Sequence, residues 1–143
     1  MKFKMRALYF SPAGNTEKMA RAIAKAQESI CDQIPPAYPS ENEKLLFIGV
    51  EMKGSSANKV VLDLCRDLTP SRAKNVAFFA VGSGNFSAIE ELKTIVKGKG
   101  LEVVGSTYEC TVKGGLFKQG KVTDADVDGV VAWAANIVDS LAV

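Results

Sequence analysis

"YFSPAGNTEKMARAIA" (residues 9–24) joins a short apolar stretch to a helical pattern through a polar turn, residues 11–16. The apolar residues predict a buried strand, and Met19, Ala20 and Ile23 recur at helical spacing after the turn. In a strand–turn–helix unit, the first free amides of the helix and its dipole attract an anion. The turn is therefore a candidate phosphate-binding loop.

The residues of the turn supply hydrogen-bond groups and conformational freedom. Gly14 lets the backbone approach a ligand closely, and Ser11, Asn15 and Thr16 add polar side chains. Pro12 has no N–H to donate. Plain helix capping is the alternative, because Asn15 or Thr16 is a good N-cap in any helix and Gly14 suits any turn.

Apolar runs alternate with helical patterns along the rest of the chain. Further strands are expected at residues 45–50, 76–81 and 101–112, and the first two of these lack polar alternation, as parallel strands covered on both faces do. The pattern predicts one α/β domain, residues 1–143, with a parallel sheet between two helical layers. The proline-rich segment at residues 31–44 leaves room for only a short edge strand.

Helix termini and the single tryptophan give further expectations. Ser87 and Glu90 have the spacing of a capping box before the third helix. The last helix has an apolar stripe and begins among acidic residues, which suit the positive end of its dipole. Trp133 lies beside that stripe, where a packing role is expected.

Composition limits the class of function. The 143 residues have a net charge of +2, 47% hydrophobic and 24% charged residues, which is ordinary for a globular domain. The sequence lacks the dense basic stripe with interleaved aromatic residues that would predict nucleic-acid binding. No segment has membrane-spanning length. The first ten residues do not resemble a signal peptide.

The inventory of reactive residues excludes several mechanisms. The chain has no histidine, which removes Ser-His and Cys-His catalysis and histidine metal sites. Cys31, Cys65 and Cys110 lack metal-type spacing, and their odd number argues against a disulfide framework. We expect a reducing, cytoplasmic location, no metal and no catalytic side chain.

The segment "FSPAGNTEKMARAIA" resembles the FMN phosphate loop of flavodoxins, whose pattern is Ser/Thr-x-Thr-Gly-Asn-Thr after the first strand. Ser11, Gly14, Asn15 and Thr16 match it, and Ala13 replaces the usual threonine. The resemblance implies a three-layer, doubly wound, five-stranded parallel sheet of order 2-1-3-4-5, with a short or degenerate second strand and FMN at the switch point. "GLEVVGSTYEC" is similar to the last strand of short-chain flavodoxins.

Flavodoxins hold the flavin ring between two loops, after the third and fourth strands. Here these ring loops are "EMKGSS" (residues 51–56) and "GSGNFS" (residues 82–87). The resemblance assigns FMN contacts to residues of the phosphate loop and of both ring loops: Ser11, Pro12, Ala13, Gly14, Asn15, Thr16, Glu51, Met52, Lys53, Gly54, Ser83, Gly84, Asn85 and Phe86.

Many flavodoxins stack tryptophan and tyrosine on the ring, and neither is present in these loops. Met52 and Phe86 are the available substitutes, through a polarisable sulfur and a flat ring. The alternative for Met52 is a partly buried loop residue, and for Phe86 it is a hydrophobic staple at the start of its helix that contacts the Glu91 stem or the neighbouring core. Lys53-Gly54 resembles the peptide beside flavin N5 that flips on reduction. We hypothesise that Lys53 stabilises a reduced, anionic flavin; the alternative is a lysine that points into water.

The resemblance implies an FMN-binding electron-transfer protein that serves redox partner proteins. One alternative is an FMN-dependent NAD(P)H or quinone reductase. Another is a flavodoxin fold that has lost FMN and binds a partner, which Pro12, Ala13 and the net charge of +2 favour, because flavodoxins are usually acidic. "GSGNFS" matches a dinucleotide fingerprint poorly. A phosphorelay receiver is also not indicated, because it needs acidic residues at the ends of the first and third strands, and Glu51 is the single acid there.

Overall fold

The computed structural model describes residues 2–114 and 120–142. Strands and helices alternate along the chain in the predicted manner. In chain order the elements are β1 (Met5–Phe10), α1 (Asn15–Ala26), β2 (Ile30–Gln33), β3 (Glu43–Glu51), α2 (Lys59–Asp67), β4 (Ala73–Gly82), α3 (Ala88–Gly98), β5 (Glu102–Val103), β6 (Tyr108–Thr111) and α4 (Asp124–Leu141).

The strands form one parallel sheet of order β2-β1-β3-β4-β5, with β6 also paired to β4. The predicted order 2-1-3-4-5 is confirmed, and β2 is the short edge strand that the prolines allow. Phe10 at the end of β1 lies opposite Val50 near the end of β3. The segments that follow these two strands are therefore neighbours at the carboxyl edge of the sheet.

The last strand differs from the prediction, because residues 101–112 form two short strands. Both extend the same edge, with Val76 opposite Val103 and Phe79 opposite Tyr108. Between them Gly105 has a φ of +70°, and a Cβ there would lie 2.7 Å from Cδ1 of Ile137. The chain turns at this glycine because helix α4 packs directly against it.

The two faces of the sheet are covered by different helices, as the uninterrupted apolar strands predict. Helices α1 and α4 cover one face and α2 and α3 cover the other. Phe47 and Phe79 lie on the α1/α4 face with ring centroids 5.7 and 6.3 Å from that of Trp133, which has the expected packing role. Gly49 leaves room for the ring of Phe79, which a Cβ would approach to 2.5 Å.

One helix terminus differs from the sequence expectation. Ser87 has helical angles (φ −58°, ψ −29°) and its side chain caps nothing, so the predicted capping box with Glu90 is wrong. Asn85 Oδ1 instead accepts the Ser87 N–H at 3.0 Å. A complete capping box is present at α4, where Thr123 and Asp126 exchange bonds of 2.8 and 3.1 Å. Within residues 2–114 and 120–142, no helix is both long and apolar enough to cross a bilayer.

Candidate functional site

The phosphate loop, residues 11–16, connects β1 to α1 at the carboxyl edge of the sheet. Gly14 is the N-cap residue of α1 and adopts a left-handed conformation with φ +86°. The Gly14 N–H closes the turn onto the Ser11 carbonyl at 3.2 Å. The N-cap residue is thus Gly14, which has no side chain to cap the helix, so the alternative in which Asn15 or Thr16 is the N-cap does not describe the structure.

Two predicted donor side chains hold the loop in shape. Thr16 is fully buried, and its hydroxyl donates to the Phe10 carbonyl at 3.0 Å. The Ser11 hydroxyl oxygen accepts the Glu17 N–H at 2.9 Å, which satisfies one free amide in the first turn of α1. These hydroxyls therefore fix the backbone of the loop.

The Asn15 side chain joins the loop to the segment that precedes α4. Its Nδ2 donates to the Gly120 carbonyl at 2.8 Å, and its Oδ1 accepts the Val122 N–H at 3.0 Å. Lys121 Nζ also donates to the Ala13 carbonyl. No sequence pattern indicates this contact, because the residues are more than a hundred positions apart.

The backbone amides of the loop bind a carboxylate from the same chain. The Asn15 N–H donates to Glu51 Oε1 at 2.8 Å, and the Ala13 N–H donates to Glu51 Oε2 at 3.1 Å. Glu51 is the last residue of β3 and is only 5% exposed. The resemblance assigned Glu51 to a ring loop, whereas its side chain lies against the phosphate loop.

The donor geometry fits an oxyanion. The N–H of Asn15, the first residue of α1, and the N–H of Ala13 in the preceding turn each donate to one oxygen of Glu51. The helix dipole adds positive potential at that point. The bound carboxylate shows that these two N–H groups can hold an anionic group through two of its oxygens. In donor chemistry the phosphate loop therefore fits the phosphate of FMN, and Ala13 and Asn15 are the residues that would hold it.

The two candidate stacking residues pack in the core of the α2/α3 face. Met52 and Phe86 are 6% and 7% exposed. They meet over Gly82, where a Cβ would lie 2.9 Å from Met52 Cγ and 3.2 Å from Phe86 Cε1. Phe86 therefore packs in the neighbouring core, as its alternative allowed, and Met52 is buried more deeply than the partly buried loop residue of its alternative. Neither side chain presents an open face to a flavin.

The remaining ring-loop residues are close to solvent. Lys53 is exposed, and its backbone exchanges two hydrogen bonds with the backbone of Ser56, with N···O distances of 2.9 and 3.0 Å. Gly54 between them has φ +61°. Ser83 and Gly84 are also exposed. A cleft of about 460 Å³ separates the two loops; the residues that line it are Ser55, Ser56, Ala57, Leu62, Ser87, Ala88, Glu91 and Leu92.

Neither metal ligation nor thiol chemistry is indicated near the loops. The described part of the chain contains no group of three His, Cys, Asp or Glu side chains that could hold a metal ion. Burial raises the pKa of Cys65 to about 12. Burial and then Asp126 raise that of Cys110 to about 11. Both remain neutral thiols near pH 7, so they are poor nucleophiles.

Comparison with known proteins identifies the fold. No family model and no curated protein matches the sequence. Among solved structures, a flavodoxin from the domain Archaea superposes with a TM-score of 0.77 at 16% identity, covering 96% of this chain and 98% of that one. The fold is that of flavodoxins.

The flavodoxin fold of this chain is also similar to parts of larger proteins and to flavoproteins. Rubredoxin oxygen:oxidoreductase from Desulfovibrio gigas matches with a TM-score of 0.73 at 17% identity, and the match covers 96% of this chain but 36% of that one. A flavoprotein from Lactobacillus acidophilus, solved in complex with FMN, matches with a TM-score of 0.62 at 20% identity, covering 75% and 93% of the two chains.

Proposed function

We propose that this chain is an FMN-binding electron-transfer protein. The observation that supports it is the pair of amides, from Ala13 and Asn15, that bind one anionic group beside β1 and β3. Ligands of open parallel sheets bind at this edge, at the point where the strand order reverses. The FMN complex of the Lactobacillus acidophilus flavoprotein supports the choice of anion, because that protein shares the fold.

In this proposal FMN supplies the redox chemistry, and the protein supplies binding and orientation. The amides of Ala13 and Asn15 bind the phosphate, and the left-handed conformation of Gly14 keeps both directed at it. The ring loops flank the ring. Met52 and Phe86 are buried beneath these loops and support their backbone.

Lys53 would set the charge near the ring. It is exposed and belongs to the first ring loop, so it places a positive charge close to a ring that becomes negative on reduction. In a redox titration of the FMN complex, we expect Lys53→Glu to make the second reduction potential more negative. Lys74→Glu, an equal charge change at the start of β4, is the control. Equal potentials in all three proteins would contradict this role.

A flavin-free binding module is the second candidate function. Two observations favour it: Glu51 is bonded to the amides of the phosphate loop, and Met52 and Phe86 are buried against Gly82. Under this alternative the flavodoxin fold serves as a docking scaffold for a partner. The protein would then bind neither FMN nor riboflavin.

FMN titration of the purified protein, followed by quenching of flavin fluorescence, distinguishes these functions. A matched pair of glycine variants gives the control. Gly14→Ala introduces no contact within 4 Å but must adopt φ +86°, whereas Gly98→Ala introduces no contact and no such strain. We expect Gly14→Ala to weaken binding by about tenfold, from a strain of roughly 1–2 kcal/mol.

Unchanged binding in Gly98→Ala would show that the loss belongs to the phosphate loop. The proposal would be overturned, and the binding module favoured, if the wild-type protein binds no FMN at roughly millimolar concentration. That result corresponds to a binding free energy weaker than about −4 kcal/mol. Oxidation of NAD(P)H by the FMN complex would instead favour the reductase alternative.

A further inference from the structure

Glu51 is the unusual residue of the candidate site. It ends a strand whose residues 45–50 are all fully buried or nearly so, and it is itself only 5% exposed. A buried carboxylate is unfavourable unless its charge and both oxygens are satisfied. Here each oxygen accepts one backbone N–H, from Ala13 at 3.1 Å and from Asn15 at 2.8 Å.

These amides are the groups that would bind a phosphate. One N–H cannot serve the carboxylate and a phosphate oxygen equally, and two anions in one small site repel each other strongly. The carboxylate of Glu51 and an incoming phosphate monoester are therefore mutually exclusive at Ala13 and Asn15. The competing group is part of the same chain, so its effective concentration is high.

We propose that Glu51 is a built-in ligand of the phosphate loop, and that FMN binds by displacing its carboxylate from the amides of Ala13 and Asn15. The inference rests on the proposed function for the identity of the incoming phosphate. The apparent affinity for FMN is then the intrinsic affinity multiplied by the fraction of molecules in which Glu51 has left the loop. Glu51 thus sets how readily the protein exchanges its cofactor.

The competition concerns the phosphate and leaves the flavin ring unaffected. Riboflavin has the same ring as FMN but no phosphate, so Glu51 does not compete with it for the amides. A variant without the carboxylate gains affinity for FMN and gains none for riboflavin. This selectivity separates competition at the loop from a general loosening of the site.

The experiment compares Glu51→Ser and Glu51→Gln with the wild type. Serine removes the side chain from the loop, and glutamine preserves its size while removing the charge. Glu43→Gln is the control, because Glu43 is 1% exposed and begins the same strand at the opposite edge of the sheet. The dissociation constants of FMN and riboflavin are measured for all four proteins, and circular dichroism confirms that each is folded.

We expect Glu51→Ser to bind FMN at least about tenfold more tightly than the wild type, a change that corresponds to a mostly occupied loop. Glu51→Gln should show a smaller gain, and Glu43→Gln should match the wild type. Riboflavin should bind all four equally. Equal FMN affinity in the wild type and both Glu51 variants would overturn the inference while leaving the proposed function intact.

Inorganic phosphate tests the inference separately from FMN. In ¹H–¹⁵N spectra, phosphate should shift the amide signals of Ala13 and Asn15 in Glu51→Ser at concentrations that leave the wild type unchanged. If FMN binds none of the proteins, the proposed function fails, and this phosphate response alone decides the role of Glu51. Amides that ignore phosphate in both proteins would overturn the inference.

Discussion

Glu43 and Glu51 lie at opposite ends of β3 and are both almost completely buried, yet their surroundings differ. Glu51 accepts two backbone N–H bonds at the carboxyl edge of the sheet. Glu43, at the amino edge, faces Arg6, with Nε and Oε1 3.6 Å apart. Among the described residues, neither Arg6 Nε nor Glu43 Oε2 has a hydrogen-bond partner.

The difference comes from the donors that each edge offers. At the carboxyl edge the chain enters helix α1, whose first amides are free to bind an anion. Among the described residues, Glu43 at the amino edge forms an ion pair with the Arg6 side chain instead. Burial therefore raises the pKa of the Glu43 carboxyl above its ordinary value of 4.5, although Lys4 and Arg6 oppose the shift. An acid at the end of a buried strand becomes a ligand only where backbone donors meet it.

The largest expected effect comes from removing the side chain that forms an ion pair with Glu43. Arg6→Ala should lower the free energy of unfolding by about 3 kcal/mol or more, because the buried Glu43 loses its countercharge. The variant also loses the 3.1 Å bond from Arg6 to the Tyr38 carbonyl. Urea denaturation followed by circular dichroism measures the change.

The control for that prediction replaces both charges at once. Arg6→Met combined with Glu43→Leu should recover most of the stability, since no unpaired charge stays buried. If Arg6→Ala alone is as stable as the wild type, Glu43 does not depend on Arg6 and the contrast between the two glutamates is wrong.

Glu51→Ser should have the next largest effect on stability. We expect a loss of about 2 kcal/mol in phosphate-free buffer, because two bonds to a charged group are removed and water replaces them only in part. Added phosphate should then restore stability by binding the folded state, as thermal denaturation at increasing phosphate would show. An unchanged melting temperature in phosphate-free buffer would indicate that the carboxylate contributes nothing to the fold.

The raised pKa of Glu43 predicts a smaller, pH-dependent effect. The folded protein binds the proton of the Glu43 carboxyl more tightly than the unfolded chain does. This contribution to stability is therefore present below pH 4.5 and is lost as the pH rises through the folded pKa. Glu43→Gln removes the loss. The stability of this variant relative to the wild type should therefore be greater at pH 7 than at pH 4, and the opposite trend would contradict the assignment.

The smallest expected effect on stability comes from Asp126, and its pH dependence is opposite to that of Glu43. The Thr123 N–H donates to its carboxylate at 2.8 Å, which lowers the Asp126 pKa from 3.8. The contribution of Asp126 to stability is thus present above pH 3.8 and is lost as the pH falls through the folded pKa. We expect Asp126→Ala to cost about 1 kcal/mol at pH 7 and little in strong acid. Asp128→Ala, an exposed acid in the same helix, should cost less at pH 7.

The sequence predicted the fold well because the fold depends on local patterns. The apolar runs gave β1, β3 and β4, the prolines limited β2, and the resemblance supplied the strand order. The break between β5 and β6 was missed because it depends on the contact between Gly105 and Ile137. The capping box at Ser87 failed because Ser87 is already helical, so Asn85 takes the role of acceptor.

The candidate site was predicted only in part. The phosphate loop follows from its own residues, but its contacts with Glu51 and Gly120 join distant positions in the chain. One signal for Glu51 was available: it is an acid that ends an apolar strand, and the expected order places that strand beside β1. The burial of Met52 and Phe86 depends on the absence of a side chain at Gly82, which no local pattern reveals.

Trp133 gives this protein a natural optical probe. It is the single tryptophan of the chain, and its indole packs among Phe47, Phe79 and Tyr108 while Nε1 donates to the Ser106 carbonyl at 2.9 Å. Its emission therefore reports on the α1/α4 side of the sheet, with no contribution from another indole. Energy transfer from this indole to an added flavin would measure how far the ligand lies from helix α4 without any engineered label.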